Sequence, residues 1–204
     1  WKTYLGRPDT DGFRCQSIGA LGNALGPSRP KEALPVLEAN LAMLRRYRAD
    51  EDSILTTQGN LASCLVELER YDEALVLNRE IYARMVAKFG MHERTIGVSC
   101  NLITCLNNLE LWGESESLLE RVLPVARRTL GADHHLTLIL GHQMSNALQN
   151  RPMRTRKDVL EAETILQDVV QRRLRVFGRA HPETPRVERA LSNVRNMLAH
   201  TRGA

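Results

Sequence analysis

A repeat constrains this chain more than any other feature of its sequence. Lys31-Glu32-Ala33-Leu34 returns as Asp72-Glu73-Ala74-Leu75, in weaker form from Gly113 to Glu116, and again around Leu160-Glu161-Ala162. These openings lie about 41, 41 and 47 residues apart. Gly90, Gly131 and Gly178 keep the same intervals and close the apolar stripes that the openings begin, where a residue without a Cβ can take the left-handed conformation that ends a helix. His92, His134 and His181 each stand three residues ahead of a threonine: Thr95, Thr137 and Thr184. Such a period, with independent markers in phase, predicts one supersecondary unit repeated along the chain.

Each unit reads as two helices. The first carries apolar residues three and four apart, as in Leu61, Cys64, Leu65 and Leu68, or Leu102, Cys105, Leu106 and Leu109. The second reads Ala74, Leu77, Ile81, Met85 and Phe89, and later Ala162, Ile165, Leu166, Val169 and Phe177. Ordering costs about 1 to 2 kcal/mol per residue in backbone entropy, so neither helix stands alone and the apolar faces must be buried against neighbouring units. Aromatic residues make up only 4% of the 204 positions and no run alternates apolar with polar, which excludes a β-sandwich or barrel. The expected fold is all-α, a solenoid of helix pairs over residues 12–199, with an extended segment at 1–11 and a tail at 200–204. A degenerate first pair, three clear pairs and a closing helix fill the array. Pro124 falls inside the third unit's second helix and predicts a kink.

The units resemble the tetratricopeptide repeat, in the longer-helix form found in kinesin light chains. The matching residues are Gly178 to Thr184 with His181-Pro182-Glu183, then Asn60-Leu61-Ala62, then Tyr71-Asp72-Glu73-Ala74. Trp112 stands at the aromatic position of the next unit, and Val159 and Pro30 lose it. The resemblance implies a right-handed superhelix whose first helices line a concave groove, used to bind a protein or peptide. It also implies that Asn60 and Asn101 hold the position whose amide can bond a bound peptide's backbone, with Ala20, Gln143 and Ala190 interrupting that ladder. No heptad segment for pairing with a motor heavy chain is present in these residues.

Catalytic and cofactor chemistry find no support in the sequence. There is no phosphate-binding loop, nucleophile elbow, paired metalloprotease histidines or dinucleotide fingerprint. Asp133, His134, His135 and His142 raise a metal site, but the repeated histidines are better explained as caps at the entry of each first helix. Cys64, Cys100 and Cys105 sit within apolar helical patterns, as small hydrophobes, and no C-x-x-C pair occurs. Gly19, Gly22 and Gly26 read as a close-packing face. No cofactor, no metal and no enzymatic activity are expected.

A formal charge of +4 invites nucleic acid as a partner. Yet Arg45, Arg46, Arg48, Arg84, Lys88, Arg127, Arg128, Arg172, Arg173 and Arg175 fall in the closing turns of second helices, and Glu32, Glu73, Glu114 and Glu161 in opening turns. That distribution suits the helix macrodipole and predicts solvated helix ends, so no nucleic acid is expected. Between Ile54 and Glu69, Thr95 and Glu110, and Leu136 and Asn150 there is no Lys or Arg. The groove is therefore expected to be nearly uncharged, lined by Thr57, Asn60, Ser63, Asn101, Thr104, Asn108, His142, Gln143 and Ser145. Its occupant would be a weakly charged peptide or helix, the chain's own Trp1, Tyr4 and Leu5 segment among the candidates. The inserted basic loop of Arg151, Arg154, Arg156 and Lys157 accounts for the longer spacing and offers a surface to an acidic partner. Arg186, Glu188, Arg189 and Arg195 on the last helix read as the charged outer face of a terminal cap.

The function expected is a protein-interaction module or scaffold binding a partner protein or peptide. The alternatives are a constitutive subunit of a multi-protein complex, organellar or membrane-associated, that uses edges and loops, and an RNA-binding helical repeat. No stretch is long and apolar enough to span a bilayer. The chain opens with Trp1 in place of Met, so an N-terminal piece is expected to be missing, and any targeting segment with it; the address defaults to the cytoplasm, with an organelle open.

Overall fold

The computed structural model describes residues 12–25 and 29–200. Among them are nine helices and no strand: α1 (Gly12–Leu25), α2 (Pro30–Tyr47), α3 (Glu51–Glu67), α4 (Tyr71–Phe89), α5 (Glu93–Asn108), α6 (Trp112–Thr129), α7 (His135–Asn150), α8 (Arg156–Phe177) and α9 (Glu183–His200). The all-helical, paired architecture is the one the repeat predicts. The chain divides into two compact units, residues 1–88 and 89–204. The segment containing Trp1, Tyr4 and Leu5, together with Gly26, lies outside the described residues.

Local sequence explains where the helices begin and end. Asp50 caps α3 by accepting the Ser53 N–H at 2.8 Å. The repeated histidines do the same work: His92 Nδ1 accepts the Thr95 N–H at 3.3 Å, His134 Nδ1 that of Leu136 at 3.4 Å, and His181 Nδ1 that of Glu183 at 3.2 Å. Gly90, Gly131 and Gly178 have φ of 64°, 92° and 75°. A Cβ at any of the three would touch nothing within 4 Å, so glycine is needed there for its backbone freedom and not for space.

In the first unit α1 packs on α2 and α2 on α3. The Gly19 and Gly22 face permits this, since a Cβ on Gly22 would come within 2.7 Å of Leu37 Cδ2 and one on Gly19 within 3.1 Å of Asn40 Nδ2. Exposed ion pairs tie α4 to the start of α3, Lys88 to Asp52 at 2.7 Å and Arg84 to Glu51 at 3.1 Å. Both pairs are open to solvent, so they fix orientation more than stability.

In the second unit α5 packs on α6 and α7, α6 on α7, α7 on α8, and α8 on α9. Leu138, Val159, Leu166, Val169 and Val170 form a core with the α9 stripe of Val187, Leu191, Val194 and Leu198. Ala33, Ala74, Ser115 and Ala162, the recurring small residues of the four openings, are all fully buried. Their size sets how closely a second helix can approach its neighbours. Pro124 lies exposed within α6, which runs unbroken from Trp112 to Thr129, as α2 runs through Pro35.

Candidate partner-binding groove

The second unit bears a groove of about 580 Å³ between the first helices of successive pairs. Helical spacing brings its lining together: Thr104, Asn107 and Asn108 from α5, His142, Gln143 and Asn146 from α7, and Arg186, Arg189, Ala190 and Asn193 from α9. Trp112, at the start of α6, completes it. On α5 the intervening Leu102, Ile103, Cys105 and Leu106 are buried, which turns Thr104 and Asn108 toward the groove while Asn107 is buried at its edge.

Amides crosslink two of the helices. Asn107 Nδ2 donates to Gln143 Oε1 at 2.6 Å, and Gln143 Nε2 donates to Thr104 Oγ1 at 3.0 Å. Asn108 Nδ2 donates to the Thr104 carbonyl at 2.8 Å. Asn107 Oδ1 is buried without a hydrogen-bond partner. The His142 imidazole is pulled down to about 4, chiefly by burial and further by Arg186 and Arg173, with Glu183 opposing. It is therefore neutral at physiological pH and meets a ligand as a hydrogen-bonding ring, not a cation.

The α9 arginines correct the expectation of a nearly uncharged groove. Arg186 and Arg189 line it, where the sequence reading had placed them on the outer face of a cap. Arg186 approaches Glu183 at 3.6 Å, and no carboxylate belongs to the lining. The signal was present in the repeat itself: Ala190 is the counterpart of Gln143, which makes Arg189 the counterpart of His142. A second correction concerns Arg173. It is not a solvated helix end but is 2% exposed, its Nε without a hydrogen-bond partner, and burial lowers the affinity of its guanidinium for a proton.

Of the residues expected in the groove, the structure brings Thr104, Asn108, His142 and Gln143 together. Thr57 and Ser145 instead lie in helix contacts, where Thr57 Oγ1 accepts from Asn40 Nδ2 at 3.3 Å and Ser145 donates to the Ala162 carbonyl at 3.3 Å. Ser63 donates back to the Gly59 carbonyl at 3.0 Å. Asn60, in the first unit, and Asn101, one turn before Thr104 on α5, are half-buried. Asn107, Asn146 and Asn193 add amides to the lining.

Other chemistry is sparse. Among the described residues no three His, Cys, Asp or Glu side chains are placed to share a metal ion. Burial pushes the Cys100 thiol up to about 12, far from thiolate reactivity. No helix among the described residues is long and apolar enough to cross a membrane.

Comparison with known proteins places these observations. The family model for the tetratricopeptide repeat matches residues 102–136 and 153–183, both within the second unit. The crystal structure of nearly identical TPR-like repeats attributed to a kinesin light chain of Podosopora anserina aligns with a TM-score of 0.70 at 20% identity, over 97% of this chain and 91% of that one. A substituted form of those repeats aligns with a TM-score of 0.65 at 21% identity, over 94% of this chain and 97% of the other. No curated protein sequence matches significantly. The chain thus has an all-helical fold similar to that of TPR-like repeats, and within it residues 102–136 and 153–183 match the tetratricopeptide repeat.

Proposed function

We propose that the α5, α7 and α9 groove holds an extended segment of a partner protein. Its backbone meets the amides of α5 and α7, and an acidic side chain meets Arg186 and Arg189. Tetratricopeptide repeats mediate protein–protein interaction, and this reading gives that class a site. One observation carries it: the groove lining holds two guanidiniums and five amides but no carboxylate. A neutral surface would select for backbone alone, whereas two cations at one end add an electrostatic preference and a direction. Because both arginines are exposed, that preference weakens as salt approaches the range where the Debye length falls below about 8 Å.

Fluorescence anisotropy tests this with a fluorescein-labelled extended peptide carrying adjacent aspartates, and its twin with asparagines in their place. The acidic peptide is expected to bind about tenfold more tightly, and the double variant Arg186→Glu, Arg189→Glu to erase that advantage. Gln143→Ala and Asn108→Ala are expected to weaken both peptides alike. Equal affinity for the twins, or capture indifferent to all of these substitutions, sinks the groove reading.

A further inference from the structure

The link from the first helix of a pair to the second passes through a residue of positive φ in three units: Glu69 at 59°, Glu110 at 58° and Met153 at 57°. The first two are acidic and sit in short turns, where their N–H groups and those of the next residues close onto the preceding helix. The third differs in every respect. It spans 151–155, its left-handed residue is a methionine, and that methionine is 95% exposed. A non-glycine residue in this conformation is strained, and a methionine wholly in water loses the burial that is its usual reason for being present.

The base of the loop is held firmly. The Arg151 guanidinium binds Asp158 at 3.1 Å and also Glu116 of α6. Thr155 and Asp158 close a reciprocal capping box at the start of α8. Arg151 is thus committed to the fold, which removes it from the basic surface that the sequence suggested. Arg154, Arg156 and Lys157 remain exposed, and Arg156 and Lys157 form no ion pair among the described residues. Both occupy the first turn of α8, where the helix dipole disfavours cations; that turn's one acid, Asp158, is engaged by Thr155 and Arg151, whereas the corresponding turns of α4 and α6 carry Asp72 and Glu73, and Glu114, without a cation. Leu160, four residues after Arg156 on the same helix face, is 44% exposed.

We infer that this loop docks against an acidic patch on a folded partner protein, with Met153 entering an apolar recess and Arg156 and Lys157 meeting the carboxylates around it. The chemistry favours protein over the other anionic surfaces. Recognition of anionic lipid draws on roughly four to eight clustered cations, more than the three exposed here. Single-stranded nucleic acid is held on aromatic platforms, and the loop has no aromatic residue. A clamped base with one projecting side chain suits a partner of fixed shape, because little order has to be created on binding.

The probe is a stapled, fluorescein-labelled helical peptide with leucines along one stripe and glutamates on both flanks, followed by anisotropy against the whole chain. The double variant Arg156→Glu, Lys157→Glu is expected to weaken binding about tenfold and Met153→Ser about threefold to fivefold, while Arg186→Glu with Arg189→Glu leaves it unchanged. The charge reversal places acids where the α8 dipole favours them, so lost binding is not lost folding. Parallel arms use phosphatidylcholine vesicles containing phosphatidylserine, and oligouridylate. No binding of the peptide, binding indifferent to the loop variants, or loop-dependent binding confined to vesicles or RNA would overturn the inference. Failure of the groove reading leaves this result untouched, since the two sets of variants share no residue.

Discussion

Helices α7 and α9 occupy the same register of successive units, and the residues they share differ in kind from those they do not. His134 and His181 both cap, Thr137 and Thr184 are both buried, and Leu140 and Val187 are both fully buried. Elsewhere they part. Gly141 of α7 faces Glu188 in this alignment, His142 faces Arg189, and Leu148 faces Arg195. Leu148 is 3% exposed, whereas Arg195 is exposed and pairs with Glu163 at 3.0 Å. α7 packs on α5, α6 and α8; α9 packs on α8. The repeat therefore dictates the positions that join a helix to its own pair or its turn, and the number of neighbours dictates the rest. Charge enters the groove on the helix with fewer neighbours.

The sharpest way to break this comparison is to give α7 what α9 carries. Leu148→Arg would force a guanidinium into a buried site, costing about 4 kcal/mol or more, while Arg195→Leu changes stability by about 0.5 kcal/mol or less. Urea denaturation of both variants measures the asymmetry, and comparable losses would show that the two registers are packed alike. A smaller effect is expected at Gly141. A Cβ there would stand 2.9 Å from Val169 Cγ2, so Gly141→Val is expected to destabilise by about 1 to 3 kcal/mol through overpacking. Glu188→Val, at the matching position of α9, is expected to fall within about 0.5 kcal/mol, and thermal unfolding distinguishes the pair.

These contrasts explain what was legible in the sequence. The period located the helix pairs, the caps at His92, His134 and His181, the terminating glycines, and the buried small residues at the four openings, because each follows from local geometry that every unit repeats. Spacing also picked out Thr104, Asn108, His142 and Gln143 as one face. It did not say what covers a polar residue. Thr57 and Ser145 have the right types but meet Asn40 and Ala162. Arg173 belongs by position to a helix end and by packing to the interior, since aligned dipoles and buried neighbours act on the same residue and only the first can be read from the chain. The groove arginines are hard to read for the converse reason: a charged α9 face suits solvent by composition, and only its register against α7 turns Arg186 and Arg189 into the groove.

The finest of the contrasts is between His142 and Arg189, counterparts that meet the groove in opposite charge states. Arg189 is exposed and presents a guanidinium. His142 is held neutral because burial, with Arg186 and Arg173 nearby, pulls its pKa down to about 4 from an ordinary 6.5. Between those values the unfolded chain binds the proton and the folded chain resists it, so His142 makes stability rise with pH through this window. Its contribution is fully present above about 6.5, declines as pH falls, and is exhausted near 4. Allowing for the partial exposure of the ring, the expected loss between pH 7 and pH 4.5 is on the order of 1 kcal/mol. Asp133 and Asp158, held below the usual carboxylate range by hydrogen bonds from Arg172 and Thr155, lose their contribution only at lower pH, as they protonate. Denaturation of the wild type and His142→Gln at pH 7.5, 5.5 and 4.5 measures the imidazole's share: the glutamine variant is expected to make the slope shallower across this interval, leaving the part that His135 contributes, whose pKa burial also lowers, and to keep the acid loss below it. A slope unchanged by the substitution would mean that the charge contrast between α7 and α9 is not held by burial of His142.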